Sequence, residues 1–260
     1  MQNFKAIACL LIIASMACKE IDSKNESETE KNPSITVYMI GDSTMANKKN
    51  PEENPEHGWG QVLHQFFNDS VTVDNRAVNG RSSRSFIGEG RWDSILKTLK
   101  EDDYVFIQFG HNDQKYKSPD RYTNPHVTYR HNLIKYVNET REKGANPVLF
   151  SSIVRRNFNE FGTLIDTHGE YPLETRWVAL EYDVPFIDLQ YFTEHLENLY
   201  GVEGSKKLHL HFEVGEHPYY ENGKADNTHL SKLGANEVAK LAVEELKKKV
   251  PNLKKYILSE

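Results

Sequence analysis

SITVYMIGDSTMANKK (Ser34–Lys49) opens as a continuous apolar run and closes as a polar loop. The run Ile35–Ile40 does not alternate apolar with polar, which marks a strand covered on both faces. Four more runs share this character: Val71–Asn75, Tyr104–Phe109, Pro147–Ile153 and Pro185–Leu189. Helical patterns separate them at Trp59–Phe67, Trp92–Leu99, Thr128–Lys143 and Leu173–Tyr182. A last one, Ser231–Lys248, places Leu233, Val238, Leu241, Ala242 and Leu246 on one stripe. Strands alternating with helices require parallel pairing through right-handed crossovers. The expected fold is therefore α/β, a three-layer α/β/α sandwich around a five-stranded parallel sheet.

In such sheets, sites lie beyond the carboxyl ends of the strands. Ser43 follows the first strand, Gly80 the second, Asn112 the third, and Arg155 and Arg156 the fourth. Gly, Asp and Ser are also common turn formers, so Gly41-Asp42-Ser43 alone does not separate a turn from a nucleophile.

The chain has 260 residues, enough for one α/β domain with a sizeable core. A net charge of −6 and a pI near 6.0 exclude a general affinity for nucleic acid, which needs a basic face. The only long apolar run is AIACLLIIASMAC (Ala6–Cys18), preceded by Lys5. It is short for a bilayer span and reads as a secretory leader, residues 1–18. Small Ser15 and Ala17 ahead of Cys18 resemble the cleavage box of bacterial lipoproteins, although Ser15 stands where Leu is usual. Ordinary cleavage after Ala17 is the alternative. Residues 19–33 are charged and without apolar period, as in a flexible tether. Residues 34–260 then form the folded domain, which contains no cysteine. The expected location is the outer membrane or cell surface as a lipoprotein, otherwise the periplasm, with the membrane touched only through that lipid.

Acyl transfer to a serine needs a base, an anion that orients the base, and donors for the developing oxyanion. ADNTHLSKLGA (Ala225–Ala235) holds Asp226 and His229 three apart, close enough for the carboxylate to reach the imidazole locally. Asp226 or Thr228 as a cap of the last helix is the competing reading. RAVNGRSSRSF (Arg76–Phe86) places Gly80, an unhindered backbone N–H, just past a strand. FIQFGHNDQK (Phe106–Lys115) offers the side-chain amide of Asn112.

The order Ser, Gly, Asn, His, with Asp three before His, resembles the SGNH (GDSL-type) hydrolases, whose sheet is flavodoxin-like. GDSTMA, NGRSSRSF, GHNDQK and DNTHLS look like the rhamnogalacturonan acetylesterase family, over roughly Ile35 to Lys248. The resemblance implies Ser43 as nucleophile, His229 as general base and Asp226 as its orienter. It implies an oxyanion hole from the N–H groups of Ser43 and Gly80 with the Asn112 amide, and no metal or organic cofactor. The implied partner is an acetylated pectic polysaccharide or oligosaccharide. From the residues alone the reading stops at a serine esterase. An acetylesterase for a neutral polymer such as xylan, or a non-catalytic glycan-binding lipoprotein, stay open as alternatives.

Pectin is polyanionic, so Arg81, Arg84, Arg155 and Arg156 are candidate carboxylate contacts. Trp92, Tyr116, Tyr122 and Phe158 could stack on sugar rings or belong to the core. LHLHFEVGEHP (Leu208–Pro218) gathers His209, His211 and His217 with Glu213 and Glu216, a zinc-like composition without a matching ligand set elsewhere. Asp166 and His168 form a second Asp/His pair, but no strand-end serine accompanies them.

Overall fold

The computed structural model describes residues 34–259. The expected leader, the Cys18 lipid site and the tether lie outside the described residues.

In chain order the elements are β1 (Ile35–Gly41), β2 (Glu56–His57), α1 (Trp59–Val62), β3 (Val71–Asn75), α2 (Ser83–Gly88) and α3 (Arg91–Leu96). Next come β4 (Tyr104–Gln108), α4 (Arg130–Glu142), β5 (Asn146–Phe150), α5 (Tyr171–Glu181) and β6 (Phe186–Ile187). The chain ends with α6 (Leu189–Gly204), β7 (His209–Phe212), β8 (Lys224–Ser231) and α7 (Lys232–Lys249). Five strands form one sheet in the order β3-β1-β4-β5-β6, every pair parallel.

The unbroken apolar character of β1 follows from this arrangement. Val37 and Met39 face a core built with Val238, Ala242 and Leu246 of α7. Tyr38 and Ile40 face the opposite core, with Trp92, Leu133 and Tyr136 from α3 and α4. Both faces are dry from Val37 to Ile40, so both sets of alternate residues are apolar there, while Thr36 is only half-buried. Burial of each such side chain contributes roughly 1.5–3 kcal/mol. The three-layer sandwich is the one expected.

Several elements differ from expectation. The fourth strand ends at Phe150, not Ile153, and the fifth is only Phe186–Ile187, because Leu189 already begins α6. Helix α6 lacks a clean stripe: it buries Thr193 and Glu197 beside Leu189 and Leu196, and it is interrupted at Gly201. A second, three-stranded antiparallel sheet has the order β2-β8-β7. Asp226 and Thr228 thus lie in a strand and do not cap α7. The cap is Ser231, whose hydroxyl accepts from the N–H of Gly234 at 3.1 Å. Trp92 is a core residue, fully buried, and donates its indole N–H to Glu139.

Candidate active site

β1 delivers the chain to a tight turn at Asp42-Ser43-Thr44. The Asp42 carbonyl accepts from Met45 and Ala46. One Asp42 carboxylate oxygen accepts from the N–H and the hydroxyl of Thr44, both at 2.9 Å. The other lies 3.3 Å from His111 Nδ1, with both side chains buried. The turn is therefore fixed from within, and Ser43, its central residue, is 8% exposed.

Lys48 braces the turn from the far side. Its buried ammonium donates to the Ser43 carbonyl (2.5 Å) and to Asn79 Oδ1 (2.9 Å), and pairs with Glu56 of β2 (2.8 Å). Burial pushes its pKa down, while the Glu56 charge opposes that shift. Asn79 precedes Gly80, whose φ of +76° is a conformation L side chains adopt rarely. Gly110, at φ +145°, opens the Gly-His-Asn-Asp loop, and a Cβ there would stand 2.3 Å from Ser152 Oγ. Asn112 donates from Nδ2 to the Arg81 carbonyl (3.1 Å) and accepts from Lys115 Nζ at Oδ1 (2.9 Å). These bonds orient the amide, and only one of its two hydrogens is used. Ser43, Gly80 and Asn112 are thus linked through Lys48, Asn79 and Arg81.

From β8, His229 Nε2 reaches Ser43 Oγ at 2.9 Å across 186 sequence positions. His229 Nδ1 lies 2.9 Å from Asp226 Oδ2. The other Asp226 oxygen accepts the backbone N–H groups of Thr228 (2.9 Å) and His229 (3.0 Å). Burial opposes ionisation of Asp226, but the bonds from the His229 ring and these two N–H groups hold its carboxyl well below the usual carboxylate range. Hydroxyl, imidazole and carboxylate form one continuous chain of hydrogen bonds.

A model of the GDSL-like lipase/acylhydrolase family matches residues 39–236. The chain belongs to this family. This GDSL-like hydrolase is 44% identical over 225 residues to the rhamnogalacturonan acetylesterase RhgT of Bacillus subtilis, covering 86% of this chain and 95% of that protein. It is 35% identical to the probable rhamnogalacturonan acetylesterase YesY of the same organism, covering 86% and 98%. Among solved structures, Bacillus subtilis YxiM superposes with a TM-score of 0.71 at 26% identity, over 84% of this chain and 57% of that one. The acetylxylan esterase Axe2 of Geobacillus stearothermophilus shares the fold, with a TM-score of 0.57 at 18% identity over 82% of this chain and 94% of that one.

The four arginines are not equivalent. Arg81 and Arg84 lie toward solvent, Arg81 with Glu89 (3.1 Å) and Arg84 at the Tyr122 carbonyl (3.5 Å). Half-buried Arg155 bonds to Thr167 Oγ1 (2.9 Å) and the His111 carbonyl (3.4 Å). Arg156 is buried, and its guanidinium donates to Ser205 Oγ, Asn227 Oδ1 and the Val202 carbonyl. It braces the strand that carries Asp226 and His229, and its burial leaves it less open to a substrate carboxylate than Arg81 or Arg84.

The histidine-rich stretch does not converge on a common point. His209 pairs with Glu197, His211 lies 2.8 Å from Asn227 Oδ1, and His217 Nδ1 accepts from the N–H of Tyr219. Among the described residues no three His, Cys, Asp or Glu side chains are grouped to hold a metal. Asp166 accepts the backbone N–H groups of His168 and Gly169 and so shapes its loop.

Lys48, His111, Glu197 and Asp113 escaped the sequence reading, each being an ordinary polar residue in a polar stretch. Asp113 is fully buried and accepts from the Ser83 N–H and hydroxyl and the Thr123 hydroxyl. Burial pushes its carboxyl up to about 6, against those three bonds. Between the ordinary 3.8 and about 6 the folded chain keeps a proton that the unfolded chain has lost. Stability contributed here is therefore present at low pH and declines as pH rises through that window. Asp113→Asn is expected to remove a decline on the order of 3 kcal/mol between about pH 4 and about pH 7. Thermal unfolding of both proteins across that range measures it, and parallel curves would count against the assignment.

Proposed function

We propose that this GDSL-like hydrolase removes O-acetyl groups from rhamnogalacturonan through an acetyl-enzyme on Ser43. The observation that carries the reading is the Ser43–His229–Asp226 hydrogen-bond chain at 2.9 Å per link. Ser43 Oγ attacks the acetyl carbonyl as its proton passes to His229 Nε2. The Asn112 amide, with the N–H groups of Ser43 and Gly80, receives the oxyanion. One such donor contributes roughly 3–4 kcal/mol to the transition state. Collapse expels the sugar hydroxyl, which takes the proton from His229. Water then cleaves the acetyl-enzyme by the same route, yielding acetate and free Ser43.

The substrate assignment rests on two named relatives that match along nearly their whole length. Arg81, next to Gly80, and Arg155, at the His111 carbonyl, support it as cations near the site, with the exposed Arg84 on α2 as a further one. An open groove of about 930 Å³ also runs along β7 and β8, lined in part by Lys206, Lys207, His211 and Lys224. Lys224, which lines the groove, has its Nζ 3.4 Å from Asp226, so one lining residue touches the triad. The leader and Cys18 support export, with a lipid holding the enzyme at the envelope.

Acetate release from acetylated rhamnogalacturonan and from acetylated xylan, at matched acetyl content, tests the reading. Faster release from the acidic polymer is expected. Equal rates would remove the role given to the arginines, and release from neither would overturn the substrate class.

A further inference from the structure

The pairing of β7 with β8 changes register abruptly. His209 is opposite Leu230, yet Leu210 is opposite Asp226, so residues 227–229 have no partner on β7. This bulge turns His229 toward Ser43. Bulges re-aim side chains in this way, but they remove backbone groups from the ladder, and each needs another partner. The N–H groups of Thr228 and His229 go to Asp226, and the Asn227 carbonyl accepts from the Arg156 N–H at 2.9 Å. The His229 carbonyl is met by a side chain: His209 Nδ1, at 3.2 Å.

His209 is itself held. Its Nε2 lies 2.6 Å from Glu197 Oε1, with both side chains almost wholly buried. Both ring nitrogens thus face oxygen acceptors. A carbonyl cannot donate, so the proton on Nδ1 is obligatory, whether the second proton sits on Nε2 or on the carboxyl. Glu197 holds the Nε2 edge of the His209 ring, as Asp226 holds the Nδ1 edge of the His229 ring, and so fixes the ring's orientation.

The surroundings give this pair little reason to exist for stability. Val154, Leu196, Leu208, Leu230 and Val238 lie around it, and Glu197 Oε2 is buried without a hydrogen-bond partner. Buried ion pairs are often no better for stability than apolar residues of the same volume. We infer that Glu197 and His209 are positioning residues, which hold the His229 carbonyl and thereby the aim of its ring at Ser43. The inference rests on the proposed role of His229.

Two double variants isolate the bond to the carbonyl. Both carry Glu197→Leu, which avoids a stranded carboxylate. His209→Asn keeps an N–H near the Nδ1 position, whereas His209→Gln keeps one only near Nε2. With 4-nitrophenyl acetate as the probe, the Asn version is expected to stay within about threefold of wild-type kcat, and the Gln version to fall about 10- to 100-fold with KM within about twofold. Both should fold as wild type does by circular dichroism, the Gln version melting lower because it leaves the buried His229 carbonyl without a donor. Equal kcat in the two versions, at any level, overturns the inference, as does failure of both to fold, which would make the pair a folding element only. Wild type and Ser43→Ala serve as the reference. If wild type is inactive or Ser43→Ala is fully active, the catalytic reading itself is lost; if they behave as expected, the result bears on the pair alone.

Discussion

Ser43→Ala is expected to lower kcat for an acetate ester by about 10⁴- to 10⁶-fold. The Ser43 hydroxyl in the β1 turn is the atom that would carry the acetyl group, and it is the one that faces His229 Nε2, at 2.9 Å. The oxyanion donors survive the change, because Asn112 is oriented by Arg81 and Lys115 and the turn by Asp42 and Lys48. A residual rate above that of water is therefore expected. The melting temperature should barely move, since the turn does not depend on the hydroxyl. Rates and melting curves of the purified variant measure both. A variant folded like wild type that keeps its turnover would remove Ser43 from the reaction.

Asp226→Asn is expected to reduce kcat by about 10³- to 10⁴-fold while the fold persists. The carboxylate accepts from three N–H groups: the ring of His229 on one oxygen, and the backbone of His229 and Thr228 on the other. An amide offers one oxygen and one NH₂. If the oxygen stays with the backbone, the NH₂ faces Nδ1 and moves the imidazole proton to Nε2, where it points at Ser43. The base is then blocked. If the amide flips, two backbone donors confront an NH₂. Steady-state kinetics with the activated ester give kcat directly. The ring tautomer, read from the imidazole nitrogen resonances, should change with it. A kcat within about tenfold of wild type would mean that Asp226 serves the bulge and not the tautomer.

The main sheet was legible because its physical cause is local. A strand buried on both faces is apolar at nearly every position, and Ile35–Ile40 and Tyr104–Phe109 carry that mark in their own residues, with Thr36 and Gln108 the exceptions. The second sheet was not legible. β8 reads Lys-Ala-Asp-Asn-Thr-His-Leu-Ser, and of these only Leu230 is buried; its extended form comes from pairing with β2 and β7. Helix α6 was missed because buried Thr193 and Glu197 interrupt the apolar period that would announce it.

The kinds of group at the site could be read from the chain in the same local way. A serine after a strand, an Asp and a His three apart, a glycine and an asparagine after neighbouring strands each occupy a few contiguous residues. Which polar side chains serve them depended on folding. Arg156 resembled its neighbour Arg155 until Ser205, Val202 and Asn227 closed around it. Lys48 and Asn79 are 31 positions apart and Glu197 and His209 are 12, with nothing periodic to join them. Hydrophobic periodicity records which face of an element is dry. A hydrogen bond between distant side chains leaves no such record, because it depends on where two elements stop relative to each other, and packing sets that.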